Sequence, residues 1–110
     1  MSGGVQAVSD RDFDRVIERS PVPVLVEFWK PDCAHCRTLH AQLDLVSEVV
    51  GPRLCILTMN VEENYQIPAE LEITSLPGLA LYQNGSFVRL IGGVGTWHEI
   101  VRQLGLTPPE

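Results

Sequence analysis

Two cysteines separated by two residues, in Cys33-Ala34-His35-Cys36, are the part of this 110-residue sequence most able to do chemistry. Cysteines so spaced at a helix start lie on nearly the same face, close enough to form a disulfide with little rearrangement. The first sits among unpaired backbone N–H groups at the positive end of the helix dipole. That setting favours thiolate and can bring a thiol pKa from about 8.5 into a range of roughly 3.5 to 7.5. Thiolate is the attacking species in disulfide exchange, so such a shift supplies a nucleophile at neutral pH. On this reading Cys33 attacks, and Cys36, one turn deeper, resolves the mixed disulfide. His35 and Asp32 tune the Cys33 thiol in opposite directions, since an imidazolium stabilises thiolate and a carboxylate repels it. The plain alternative is an inert disulfide or buried thiol pair. A metal held by Cys33, Cys36 and His40 would be one ligand short of a structural zinc site, so no metal is expected.

The elements that must position this pair can be read from periodicity. Gln6-Ala7-Val8 reads as a first strand. Ser9-Asp10-Arg11-Asp12 resembles a capping box before a helix with Phe13, Val16 and Ile17 on one face, ending ahead of Ser20-Pro21. The run from Val22 to Trp29 is apolar on both faces, as a doubly covered central strand requires, with Glu27 as a lone carboxylate inside it. After the Lys30-Pro31-Asp32 turn, Cys36, Leu39, Leu43, Val46 and Val50 make one helical stripe that stops at Gly51-Pro52. Leu54 to Val61 is a second buried strand, with Cys55 as a core residue. A short polar helix around Asn64 to Leu71 is possible despite Pro68. Asn84-Gly85 joins strands Gly78–Gln83 and Ser86–Ile91 in a hairpin. Thr96 caps a last helix with Ile100, Val101 and Leu104 inward, closed by Gly105, and Thr107-Pro108-Pro109-Glu110 is a tail. The order β-α-β-α-β-(α)-β-β-α predicts a mixed sheet with helices on both faces in a single domain.

Composition narrows the function. Three cysteines are too few for the disulfide framework of a small secreted domain, and 110 residues bury enough core without staples. Eight basic against fourteen acidic residues leave a net charge of −6, which argues against nucleic acid. No uninterrupted apolar run exceeds four residues, so no membrane partner is expected. The start lacks a signal-peptide pattern, and a cytoplasmic location is expected. Glu62, Glu63, Glu70 and Glu72 read as a solvated face that biases partner choice toward basic proteins. His98 reads as surface, and Trp97 as helix-face core or rim.

Several of these segments together resemble the thioredoxin family. They are Val24-Leu25-Val26-Glu27-Phe28-Trp29, Cys33-Ala34-His35-Cys36, Leu76-Pro77-Gly78, Asn84-Gly85 and Gly92-Gly93, in order and spacing from about Val8 to Leu104. The resemblance implies an α/β thioredoxin fold, a mixed central sheet of four to five strands with helices on both faces, over residues 1–110. It implies a redox-active disulfide between Cys33 and Cys36, and it makes Leu76-Pro77 the cis-proline loop whose backbone pairs with an extended substrate. Glu27 falls where the family carries a buried carboxylate, an Asp in typical members, and would accept the Cys36 proton during resolution. Trp29 matches the tryptophan lining the site, and Gly92 and Gly93 the glycines beside the substrate groove.

The departures are equally specific. Typical members have Trp-Cys-Gly-Pro-Cys where this chain has Asp32-Cys33-Ala34-His35-Cys36, and a histidine before the second cysteine resembles disulfide isomerases and periplasmic oxidases. The helix-kinking proline is replaced by Ala41, so the helix is expected to be straighter. The lysine that partners the buried carboxylate is replaced by Thr58, and His40, one turn after Cys36, is expected to take part of its place near Glu27. The implied activity is thiol–disulfide exchange with protein substrates, in electron transport and cell redox homeostasis. It needs no cofactor in the chain itself and implies a thioredoxin-reductase-type flavoprotein as donor, with the protein a monomer. The alternative from another class is a binding module of the same fold that uses the groove without turnover.

Overall fold

A computed structural model describes residues 4–92 and 95–106 of the chain. The strands are β1 (Val5–Ala7), β2 (Val24–Trp29), β3 (Cys55–Asn60), β4 (Gly78–Gln83) and β5 (Ser86–Ile91). The helices are α1 (Asp10–Arg19), α2 (Ala34–Val50), α3 (Gln66–Glu70) and α4 (Trp97–Gln103), with a 3-10 turn at Gly51–Arg53. The strands form one five-stranded sheet in the order β1-β3-β2-β4-β5. β3 runs parallel to β1 and β2, while β4 is antiparallel to β2 and β5. Among the described residues, no helix is long and apolar enough to cross a membrane.

The period-2 alternation of β2 explains how the sheet is covered. Val24, Val26 and Phe28 point to the layer holding Phe13 and Ile17 of α1 and Ile67 of α3. Leu25 points to the other layer, where Leu39, Leu43, Val46 and Val50 of α2 meet Ile100 and Val101 of α4. Glu27, two residues on from Leu25, therefore shares the α2-covered face. The expected α2 stripe is buried at all five positions, Cys36 included. Fully burying one such aliphatic side chain is worth roughly 1.5–3 kcal/mol, so this stripe is what holds α2, and its first residue Cys36, against the sheet.

Local signals set the ends of these elements. Ser9 caps α1, accepting the Asp12 N–H at 3.3 Å, and Thr96 caps α4, accepting the Glu99 N–H at 3.4 Å. The hairpin turn has positive φ at both central residues, Asn84 (54°) and Gly85 (78°), as a two-residue turn matching the strand twist requires. α3 has no side-chain cap of its own at Tyr65. Asp10, from the first turn of α1, supplies it instead: its carboxylate accepts the N–H groups of Gln66 and Ile67, each at 2.9 Å. Asn64 closes this bracket by accepting the Asp10 N–H at 2.8 Å.

Several expectations are corrected. The first strand is Val5–Ala7 and not Gln6–Val8, although the Val8 N–H still reaches the Thr58 carbonyl at 2.9 Å. β2 begins at Val24, after Pro23, which has no N–H to give to the ladder. β3 is shorter by a residue at each end, and α3 covers only Gln66–Glu70. Cys55 is half-buried: it packs against the α1-side core from the start of β3 and also lines a surface cavity of about 460 Å³. α2 runs unbroken through Ala41. Glu62, Glu63, Glu70, Glu72 and His98 are exposed, as expected of a solvated surface, and Phe13 is fully buried.

Candidate active site

β2 ends at Trp29, three residues make the turn, and Cys33 is the N-cap of α2 with extended φ/ψ of −143° and 102°. Its Sγ accepts the Cys36 N–H at 3.1 Å, so the sulfur takes the place an Asp or Ser oxygen usually fills at a cap. The two cysteines are disulfide-bonded, with Cα atoms 5.3 Å apart. Cys36 opens the buried stripe and is 2% exposed, whereas Cys33 is half-buried at the surface. The pair is thus asymmetric, with Cys33 partly exposed and Cys36 enclosed. No acidic residue lies in the first turn of α2 to offset the positive end of its dipole. Asp32 and His35 are both exposed on either side of Cys33. Arg37 straps the turn from the helix side, its Nη1 donating to the Pro31 carbonyl at 3.4 Å.

Behind the disulfide lies a cleft of about 430 Å³ lined by Glu27, Trp29, Lys30, Cys36, His40 and Thr58 among others. Glu27 is fully buried. Its Oε1 meets Nδ1 of His40 at 3.2 Å, while Oε2 is buried without a hydrogen-bond partner. Burial pushes the Glu27 carboxyl above its ordinary value, and the nearby Asp44 charge adds to this. The hydrogen bond and charge of His40 pull the other way, and burial prevails. Thr58, the register partner of Glu27 on β3, carries no charge into the site. His40 therefore does reach Glu27, as its spacing after Cys36 implied.

The Leu76–Pro77 bond is cis. Gly78, the next residue, pairs with Phe28, which carries the loop to the end of β2 where Trp29 leads toward the cysteines. Leu76 packs partly buried against the α1-side core. Pro77 and Gly92 line a second groove, of about 330 Å³, together with Thr74 and Leu90. Gly92 is exposed, a Cβ there would meet no atom within 4 Å, and its carbonyl accepts Nε2 of Gln103 at 3.0 Å. Gly93 lies outside the described residues. Of the site residues expected from sequence, Glu27, Trp29 and Cys36 thus line one groove and Pro77 and Gly92 the other, while Cys33, His35 and Leu76 line neither. Lys30, Arg37 and Asp44 were missed. The signal was available for Asp44 and Arg37, which follow His40 and Cys33 by one helical turn each.

A paired-cysteine helix start, a cis-proline loop and a β1-β3-β2-β4-β5 mixed sheet occur here in one chain, and the Thioredoxin family model matches residues 4–105. The chain belongs to the thioredoxin family. The thioredoxin of Haemophilus influenzae is 35% identical over 81 residues, covering 74% of this chain and 76% of that one. The thioredoxin of Rickettsia bellii is 36% identical over 78 residues, 71% and 74% of the two chains. Thioredoxin 1 of a Nostoc species is 32% identical over 93 residues, 84% and 86% of the two. As a member of this family, with Cys33 and Cys36 joined in the structure, the protein is a thiol–disulfide oxidoreductase acting on protein disulfides.

Proposed function

We propose that Cys33 is the nucleophile and Cys36 the resolving thiol of a two-step exchange. The observation that carries this is the asymmetry of the pair: Cys33 is accessible at the cap of α2, and Cys36 is 2% exposed behind it. The Cys33 thiolate attacks one sulfur of the substrate disulfide, that S–S bond breaks, and the other substrate sulfur leaves as thiolate. Cys36 gives its proton to Glu27 and attacks Cys33 Sγ. The second substrate sulfur then leaves, and the Cys33–Cys36 disulfide remains. The substrate has gained two electrons and the pair has lost them. His35, when protonated, favours the Cys33 thiolate, and the buried unpartnered Oε2 of Glu27 supports its assignment as proton acceptor.

The remaining assignments extend the same reading. Trp29, Leu76, Pro77, Gly92 and Gly93 hold an extended substrate segment, with backbone groups at the proline loop giving sequence-tolerant pairing. A thioredoxin-reductase-type flavoprotein returns electrons to the pair. The protein works as a single-domain monomer in the cytoplasm, in electron transport and redox homeostasis, supported by a redox pair that one chain completes by itself. The test is insulin reduction driven by dithiothreitol. Cys33→Ser should abolish the acceleration, and Cys36→Ser should accumulate a covalent mixed disulfide visible by mass. Wild-type acceleration by the Cys33→Ser variant would remove Cys33 from the reaction.

A further inference from the structure

We infer that His40 is the residue that balances the charge of Glu27 during exchange, releasing to water the proton that Cys36 gives up. It acts through Glu27 and does not touch the reacting sulfurs, so it is a positioning residue. The inference rests on Glu27 being the acceptor for Cys36.

Three observations converge on it. Glu27 has one polar contact among the described residues, Nδ1 of His40 at 3.2 Å, while its Oε2 is buried and unpartnered. Cys36, Glu27 and His40 line one cleft, since His40 follows Cys36 by one helical turn and Glu27 lies on the face of β2 that α2 covers. The His40 side chain is 47% exposed where that of Glu27 is 1% exposed, so the imidazole reaches water where the carboxyl does not. The other charged groups around the pair are Lys30 at the end of β2 and Arg37 and Asp44 on α2, all exposed. β3 contributes neutral Thr58 and β4 contributes Leu79, the register partners of Glu27.

A carboxylate removed from water needs a counter-charge. In the reduced protein the imidazolium of His40 supplies it through Nδ1–H to Oε1. When Cys36 attacks, its proton goes to Oε2 and Glu27 becomes neutral. The imidazolium then has no counter-charge and loses its Nε2 proton to water, while Nδ1–H keeps its bond to Oε1. One proton leaves Cys36 and one enters solvent, so Glu27 and His40 together carry no net charge both before and after the step. Re-reduction of the disulfide runs the same steps backward, with Glu27 returning a proton to Cys36 and His40 taking one from water.

The aromatic disulfide 5,5′-dithiobis(2-nitrobenzoate) separates the steps, because release of the first thionitrobenzoate reports attack by Cys33 and release of the second reports resolution by Cys36. Followed by stopped flow across pH, His40→Ala and His40→Gln should both slow the second release roughly tenfold. That is below the roughly 10²–10⁴ typical of a direct acid–base group, because His40 acts at second hand. Both variants should also change the pH profile of that step, and free imidazole should restore His40→Ala. His40→Gln can keep a hydrogen bond to Glu27 through its amide N–H but has no titratable proton to release, so wild-type behaviour in it would reduce His40 to packing and overturn the inference. The inference also falls if both variants match wild type while Glu27→Gln is slow, and the Glu27 assignment then stands. A fast second release in Glu27→Gln would remove that assignment and this inference together.

Discussion

Replacing Glu27 with Leu should make the protein more stable and less active. Glu27 is fully enclosed between β3 and β4, with one oxygen on a half-exposed histidine and the other on nothing. Leaving a buried polar atom unsatisfied costs about 1–3 kcal/mol, and the hydrogen bond lost from His40 is worth about 1 kcal/mol. The added apolar burial of leucine, in a slot of similar volume, contributes in the stabilising direction. The net expectation is about 2 kcal/mol in favour of the variant, within the range of about 1–4 kcal/mol seen when apolar residues replace buried ion pairs. For a domain of this size that is a rise of roughly 8 °C in Tm. The pH dependence has a definite sign. Glu27 binds its proton more tightly folded than unfolded, because burial raises its value above the ordinary 4.5. Its contribution therefore favours the wild-type fold most below that ordinary value, and is lost as pH rises through the raised one. Urea unfolding of both proteins, taken as a difference so that the other carboxylates cancel, should show a gap that widens as pH rises above the ordinary carboxyl value of 4.5. A leucine variant less stable than wild type, or a gap independent of pH, would refute the reasoning.

Three further outcomes follow from other sites. Asp10→Ala removes the carboxylate that caps α3 from across the fold, and should cost about 1–2 kcal/mol in chemical denaturation while loosening the Gln66 and Ile67 amides toward hydrogen exchange. Cys55 is half-buried and burial pushes its thiol up, so in the reduced protein iodoacetamide should label Cys33 well before Cys55, as peptide mapping would show. Burial, with smaller effects from Glu70 and Asp14, pushes the Tyr82 phenol up to about 12. An alkaline absorbance titration should accordingly leave this phenol un-ionised at about pH 11, with its contribution to stability falling as pH passes the raised value.

How far the fold could be read beforehand depended on whether its cause was local. The α2 stripe from Cys36 to Val50 was legible because burial on one helical face repeats with a fixed period, and the hairpin because Asn84-Gly85 accepts positive φ. Strand order was not, since apolar runs such as Val24–Trp29 and Cys55–Asn60 say that both are buried and nothing about which strand lies between. Family resemblance supplied that information. The Asp10 bracket joins residues 56 and 57 positions apart and leaves no local trace, since the same aspartate reads only as a first-turn acid of α1. Within the site, Glu27 announced itself as a charge in a buried run. Its contact with His40 could be expected from helical spacing, but the absence of any partner for Oε2 is a property of packing alone.

The capping sulfur of Cys33 has a consequence for how the protein meets its substrates. In many enzymes the attacking atom sits on a loop that must close before reaction, and closure sets the rate. On the proposed assignment of Cys33 as nucleophile, the attacking atom is part of the structure that begins a 17-residue helix, held by the Cys36 N–H and by a stripe running to Val50. The freedom that a mobile nucleophile would lose at each encounter was already lost when the chain folded. Accommodation is left to the other party: a client disulfide must be brought to a fixed sulfur, and flexible or locally unfolded clients will be reached most readily.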